Sequence, residues 1–263
     1  MTGYEAGLTP AQARSRLVRV KTSDAVADNV LDLLFAGELR PGDRIDIDGL
    51  AEMLGVSRAP VREALVMLER DGLVEIRYHR GAFVADLDAA AVRESFELYG
   101  LLTALSSRRV AERRDPAVLE ALDTAIAEIE EADSVDEFEI KAREYRRIVN
   151  RAFAGSRLRA VLRTFSGLVP AASRLTMPRS IDRERDLLRA EHAAIGRGDP
   201  DAATEAVVEH IWMLGELAVQ TLREREVIGE EEDEDADRRD HAEIARTLDV
   251  LESKRRARKG AAK

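Results

Sequence analysis

The chain has 263 residues, 45% of them hydrophobic and 35% charged, enough for two domains of ordinary size with buried cores. It contains no cysteine, which excludes disulfides, thiolate metal sites, cysteine nucleophiles and iron–sulfur clusters. Its 41 basic and 51 acidic residues leave a net charge of −10, so any contact with nucleic acid must come from a local basic face.

In chain order, residues 1–20 read as a polar, partly basic arm carrying Arg14, Arg16 and Arg19. Ser23 is the expected N-cap of a first helix, with Val26, Val30, Leu33 and Leu34 at helical spacing and Gly37 and Pro41-Gly42 as its stop. A short second helix starts near Asp48, carries Leu50, Ala51 and Leu54, and ends at Gly55. Ser57 caps a third helix with an apolar stripe of Val61, Ala64, Leu65 and Leu68, and Gly72 lies past its end. The period then changes: Leu73-Val74-Glu75-Ile76 and Ala82-Phe83-Val84-Ala85 are strand-like runs around the turn Arg77-Tyr78-His79-Arg80-Gly81.

From residue 88 to about residue 228 the pattern is helical throughout. Breaks are expected at Asp115-Pro116, Asp133-Ser134, Gly155-Ser156, Pro178 to Ser180 and Gly198-Asp199-Pro200, giving six or seven helices in a bundle. Residues 230–240 are mostly acidic and residues 254–263 mostly basic, so a charged, disordered tail is expected from residue 229. The expected fold is mainly α: an arm (1–20), a winged helix–turn–helix with a small β-hairpin (21–86), an all-α bundle (87–228) and the tail (229–263). The first twenty residues hold no apolar run of signal-peptide length, and no stretch of about 18 apolar residues runs unbroken, so a cytoplasmic protein with no membrane partner is expected.

The run from Leu50 through Ala51-Glu52-Met53-Leu54-Gly55-Val56-Ser57-Arg58-Ala59-Pro60-Val61-Arg62-Glu63-Ala64 to Leu65 carries a resemblance. With Leu68, Gly72-Leu73-Val74 and Arg80-Gly81-Ala82-Phe83-Val84 at constant spacing, it resembles the winged helix–turn–helix of the GntR family. The remainder is similar to the FCD effector-binding domain of the FadR subfamily. The carriers there are Glu97-Leu98-Tyr99, Glu144-Tyr145-Arg146-Arg147-Ile148, Arg157-Leu158, Gly198-Asp199 and His210. The resemblance implies a ligand-responsive transcription regulator, by default a repressor, that acts as a homodimer on an inverted-repeat operator in double-stranded DNA.

Arg58 and Arg62 lie four apart on the third helix and share a face, and such arginines can make bidentate contacts to guanine. Ser57 and the first amides of that helix suit phosphate oxygens. By the resemblance, Arg58 and Arg62 contact bases or phosphates and Ala59 and Pro60 line the groove. His79, Arg80 and Gly81 form the wing, and Arg14, Arg16, Arg19 and Lys21 add phosphate contacts. One departure weighs against strong binding: Asp48 stands where relatives carry a basic or polar residue. Residues 21–87 hold 8 basic and 13 acidic side chains, a net of −5.

FCD domains commonly hold a metal through one Asp and three His. Those positions fall here on Ala142, Arg146, Leu188 and His210, so no metal and no cofactor are expected. A substitute set of His192, His210 and Glu191 is the alternative. Where relatives place an Arg for a carboxylate effector, this chain has Leu102, with Ser106 one turn on. The candidate effector residues are therefore Leu102, Ser106, Arg146, Leu188, His192 and His210, and the exchange of polar anchors for apolar ones points to an acyl or lipid-like effector. Arg146 either pairs an anionic group of that effector or closes the cavity by pairing with a nearby acid. The run Trp212, Met213, Leu214 and Leu217 reads as core or dimer contact. No set of acid, base and nucleophile suggests an enzyme. The rival reading is a ligand-binding or interaction bundle without DNA readout.

Overall fold

The structure is a computed structural model that describes the backbone of residues 10–229 apart from Ser166, and side chains from residue 22. The chain divides into two compact units, residues 1–87 and 88–263. The expected tail lies outside the described residues.

In the first unit α1 spans Pro10–Ala36, so the helix begins well before Ser23. Ser23 is not a cap but a buried residue inside the helix, and the helix takes in residues 10–20 of the expected basic arm. The buried stripe is Val26, Ala27, Val30, Leu31, Leu34 and Phe35; Leu31 takes the core position expected of Leu33. Gly37, at φ 79°, turns the chain out of the helix.

Next come β1 (Arg44–Ile45), α2 (Ile47–Met53), α3 (Arg58–Arg70), β2 (Val74–Arg77) and β3 (Gly81–Val84). Asp46 caps α2, its carboxylate accepting the Asp48 amide at 3.0 Å. Helix α3 buries Pro60, Val61, Ala64, Leu65 and Leu68 and packs on α1. The strands form an antiparallel sheet of order β1-β3-β2, with Val74 opposite Val84 and Arg77 opposite Gly81. The hairpin was legible; β1, a two-residue strand that pairs Arg44 with Phe83, was not.

The second unit contains α4 (Ala89–Arg113), α5 (Pro116–Glu130), α6 (Val135–Ala152), α7 (Ser156–Leu162), a 3-10 turn (Arg163–Phe165), α8 (Leu168–Arg197) and α9 (Pro200–Glu224). Asp88, Asp115, Ser134 and Asp199 cap α4, α5, α6 and α9 through their side chains. Helix α9 lies along α4 and α8. At Gly215 the absence of a side chain lets α9 approach Phe96 of α4, since a Cβ there would come within 2.9 Å of the Phe96 Cβ. The break expected from Pro178 to Ser180 does not occur: α8 continues through Pro178. Pro178 is exposed while Thr176, Met177 and Ser180 are buried, so packing on one side holds the helix through a residue that has no backbone N–H to donate. Among the described residues no helix is long and apolar enough to cross a membrane.

Candidate DNA-reading face and effector-domain interior

The turn between α2 and α3 is set by backbone geometry. Gly55 adopts φ 63°, and the Val56 amide bonds back to the Ala51 carbonyl at 2.9 Å. Ser57 then enters α3 in an extended conformation and makes no side-chain capping bond. Because α3 turns Val61, Ala64, Leu65 and Leu68 inward, the 3.6-residue period carries Arg58, Ala59 and Arg62 outward, and all three are exposed. Pro60 is a correction: it is buried in the unit's core and does not line an open groove.

Arg58 has a partner inside the protein. Its Nε lies 2.5 Å from Asp48 Oδ1, both side chains being 64% exposed. The departure noted in the sequence thus meets an arginine expected to read bases. In the wing, His79 stands at φ 56°, a left-handed conformation unusual for a side chain of its size, and Arg80 is exposed beside it. Gly81 has φ 103°, and a Cβ there would approach Arg44 Nε to 3.3 Å, so its role includes letting β1 pair closely. Sequence reasoning passed over Tyr78, a large apolar side chain left 87% exposed in the turn, whose ring meets that of His79 edge-on. Its place in the quoted turn was the available signal. The side chains of Arg14, Arg16, Arg19 and Lys21 lie outside the described residues.

Several polar side chains are buried beside the apolar core of the second unit. Helix α8 buries Thr176, Ser180, Glu184 and Glu191 along the same stripe as Leu187, Leu188 and Ile195. Arg146 of α6 forks onto Glu191, donating to its two carboxylate oxygens at 2.9 and 2.6 Å, with Glu191 fully buried. Burial opposes the guanidinium charge, but the adjacent Glu191 carboxylate outweighs it and holds the Arg146 pKa above its ordinary value. The same burial, with Glu191 nearby, raises the Tyr145 hydroxyl well above its usual range.

The six candidate effector residues go separate ways. His210 Nε2 lies 3.3 Å from Glu184 Oε2, and the Ser180 hydroxyl donates to Glu184 Oε1 at 2.5 Å. His192 pairs instead with Asp123 at 3.2 Å. Leu188 is packed in the apolar core, Ser106 donates to the Leu102 carbonyl oxygen at 3.1 Å, and Leu102 is half-buried. Of the two expectations for Arg146, the pairing with a nearby acid is present, and Glu191 is that acid. A glutamate in phase with Leu187 and Ile195 was the sequence signal for such a buried partner.

These residues do not fit the metal that FCD domains commonly hold. Glu191 is engaged by Arg146, His192 by Asp123 and His210 by Glu184. Among the described residues no three His, Asp or Glu side chains form a ligand set. What remains for a ligand are buried polar atoms without a hydrogen-bond partner in the protein, including Ser107 Oγ, Tyr145 Oη and His210 Nδ1.

Comparison with known proteins agrees with this organisation. The family "Bacterial regulatory proteins, gntR family" matches residues 22–84, and the FCD domain family matches residues 94–212. An uncharacterised HTH-type transcriptional regulator of Mycobacterium tuberculosis is 39% identical over 209 residues, covering 80% of this chain and 86% of that protein. A probable D-xylose utilization operon transcriptional repressor of Paenarthrobacter nicotinovorans is 27% identical over 203 residues, covering 74% and 88%. Among solved structures, Escherichia coli McbR/YncC aligns with a TM-score of 0.52 at 19% identity, over 76% of this chain and 97% of that one, a likeness of fold. The relatives are regulators of transcription, not enzymes. The chain belongs to the GntR family of bacterial regulatory proteins and joins its DNA-binding winged helix–turn–helix to an FCD effector domain.

Proposed function

We propose that the protein is a repressor of the FadR type that binds an inverted-repeat operator as a homodimer and is released by a small apolar or amphipathic effector such as a fatty acyl derivative. The observation that carries the DNA half is the outward face of α3, where Arg58, Ala59 and Arg62 are exposed, as are Ser57 and the wing residues His79 and Arg80. Repression is the named role of the D-xylose regulator. The effector class follows from the Arg146–Glu191 pair. An anionic ligand seeking Arg146 must break a buried, doubly bonded ion pair, at about 3–5 kcal/mol, whereas an acyl chain need not. Effector and operator then oppose each other by linkage, each weakening the other's binding by the same factor.

Two experiments test the reading. Fragments selected from sheared genomic DNA at moderate salt should share an inverted repeat, and an Arg58→Ala, Arg62→Ala double variant should lose that enrichment. Thermal-shift stabilisation by acyl compounds but not by citrate-like acids is expected; the reverse order refutes the effector class. A second reading, a ligand-binding bundle whose helix–turn–helix no longer reads DNA, is favoured by the Asp48–Arg58 pair and the net −5 of residues 21–87. Failure of the wild-type protein to select any shared sequence would establish it, whereas equal enrichment with the double variant would place base reading on residues other than Arg58 and Arg62.

A further inference from the structure

The pair between Asp48 and Arg58 is too exposed to be a significant source of stability, yet it joins the first turns of the two helices of the helix–turn–helix. The local backbone fixes where Asp48 stands. Its amide is held by the Asp46 cap at 3.0 Å, and Gly49 leaves room for that cap, since a Cβ there would come within 2.7 Å of Asp46 Oδ2 and push the carboxylate aside. The α2–α3 turn is closed by the amides of Gly55 and Val56, bonded to the carbonyls of Glu52 and Ala51. Asp48 is therefore held on a rigid turn at one flank of Arg58.

From this arrangement we infer that Asp48 is a positioning residue for base reading: it holds the Arg58 guanidinium so that Arg58 selects a base instead of a phosphate. The inference rests on the DNA-reading function proposed above. The contact is made through Nε, at the side of the guanidinium, while the two Nη groups form the end-on fork that matches guanine O6 and N7. A long arginine at the head of a recognition helix has two competing acceptors on DNA, the base edge and the flanking phosphates. A carboxylate at its Nε restricts the swing toward the backbone and lowers the net charge that draws it there. The consequence is weaker binding to DNA in general and a larger ratio of specific to non-specific binding.

The test uses the full chain, with selection from randomised duplexes followed by competition binding at two salt concentrations. Wild type, Asp48→Ala, Arg58→Ala and the double variant are compared. Wild type should prefer guanine by about tenfold or more at one base pair of each half-site, the preference a bidentate arginine supplies. Arg58→Ala should abolish that preference. Asp48→Ala should reduce it to about threefold or less at the same base pair, while binding random DNA more tightly and steepening the salt dependence by about one unit of log K against log salt. The double variant should show no further loss of preference than Arg58→Ala alone. Two results overturn the inference while leaving DNA reading intact. In one, Asp48→Ala keeps the full preference and tightens binding to all sequences by one factor; in the other, it sharpens the preference, so that Asp48 only withholds Arg58. If wild type selects no sequence, the DNA-reading function fails and this inference with it.

Discussion

Removing Arg146 should be among the more damaging single changes in the FCD domain, and the structure gives the size of the effect. The Arg146 side chain is 10% exposed and that of Glu191 1%, so truncating the arginine leaves a carboxylate with neither its cation nor water. Breaking a buried pair in this way costs about 3–5 kcal/mol. For a unit of this size each kcal/mol lowers Tm by about 2–4 °C, so Arg146→Ala should lose roughly 10 °C. The chain's single tryptophan, Trp212, lies on α9 in the same unit, so its fluorescence in urea follows this unit specifically. Replacing both partners, as Arg146→Met with Glu191→Leu, removes the two charges together and should return stability to within about 1 kcal/mol of wild type or above it. A double variant no better than the single one would mean that packing volume, not charge, sets the cost. A loss under about 1 kcal/mol in Arg146→Ala would mean that the pair is not buried in solution.

Three further outcomes are expected. Gly215→Ala should destabilise by about 1–2 kcal/mol in urea, because its Cβ would meet Phe96 at 2.9 Å and the overpacking outweighs the better helix propensity of alanine. Pro178→Ala should stabilise by about 1–2 kcal/mol, restoring a backbone donor at an exposed position of a helix that already continues through it, and a lowered Tm would contradict this account. The Arg189 hydrogen bond holds the Glu130 carboxyl below its ordinary 4.5, so this contact contributes stability above pH 4.5 that is lost as pH falls through the lowered folded value. Glu130→Gln should therefore cost less than about 1 kcal/mol at pH 7, the pair being partly exposed, and the difference from wild type should shrink as pH falls below 4.5 and vanish once the carboxyl is protonated in the folded protein.

The links between site and fold are carried by few residues. In the first unit, burial of Val61, Ala64, Leu65 and Leu68 fixes the rotation of α3 and so points Arg58 and Arg62 outward; the proposed reading face is the complement of the core stripe. In the second unit, the inward stripe of α8 includes Ser180, Glu184 and Glu191, and α6 and α9 answer with Arg146 and His210. Beside that domain's apolar core these buried polar groups pair with one another, with isolated polar atoms such as Tyr145 Oη left over.

Much of this was determined by the sequence alone, because it rests on short-range rules. The α3 stripe, the hairpin to within a residue, and the helix starts at Asp115, Ser134, Gly155 and Asp199 follow from period, capping and glycine or proline punctuation within a few residues. Local rules also misled. Ser23 carries an N-cap signal, but the helix extends past it and buries it. Pro178 carries a break signal, but packing of α8 against α4 and α9 overrides it. Strand β1 is two residues long and has no period of its own; it is a strand only because β3 lies beside it. The contacts that decide the sites are tertiary in the same sense. Asp48 reaches Arg58 across the helix–turn–helix turn, and Glu191 reaches Arg146 from 45 residues away, so that an arginine legible as a candidate ligand anchor becomes one half of a buried pair. Which residue an ionic side chain chooses depends on distance and dielectric in three dimensions, and neither exists along the chain.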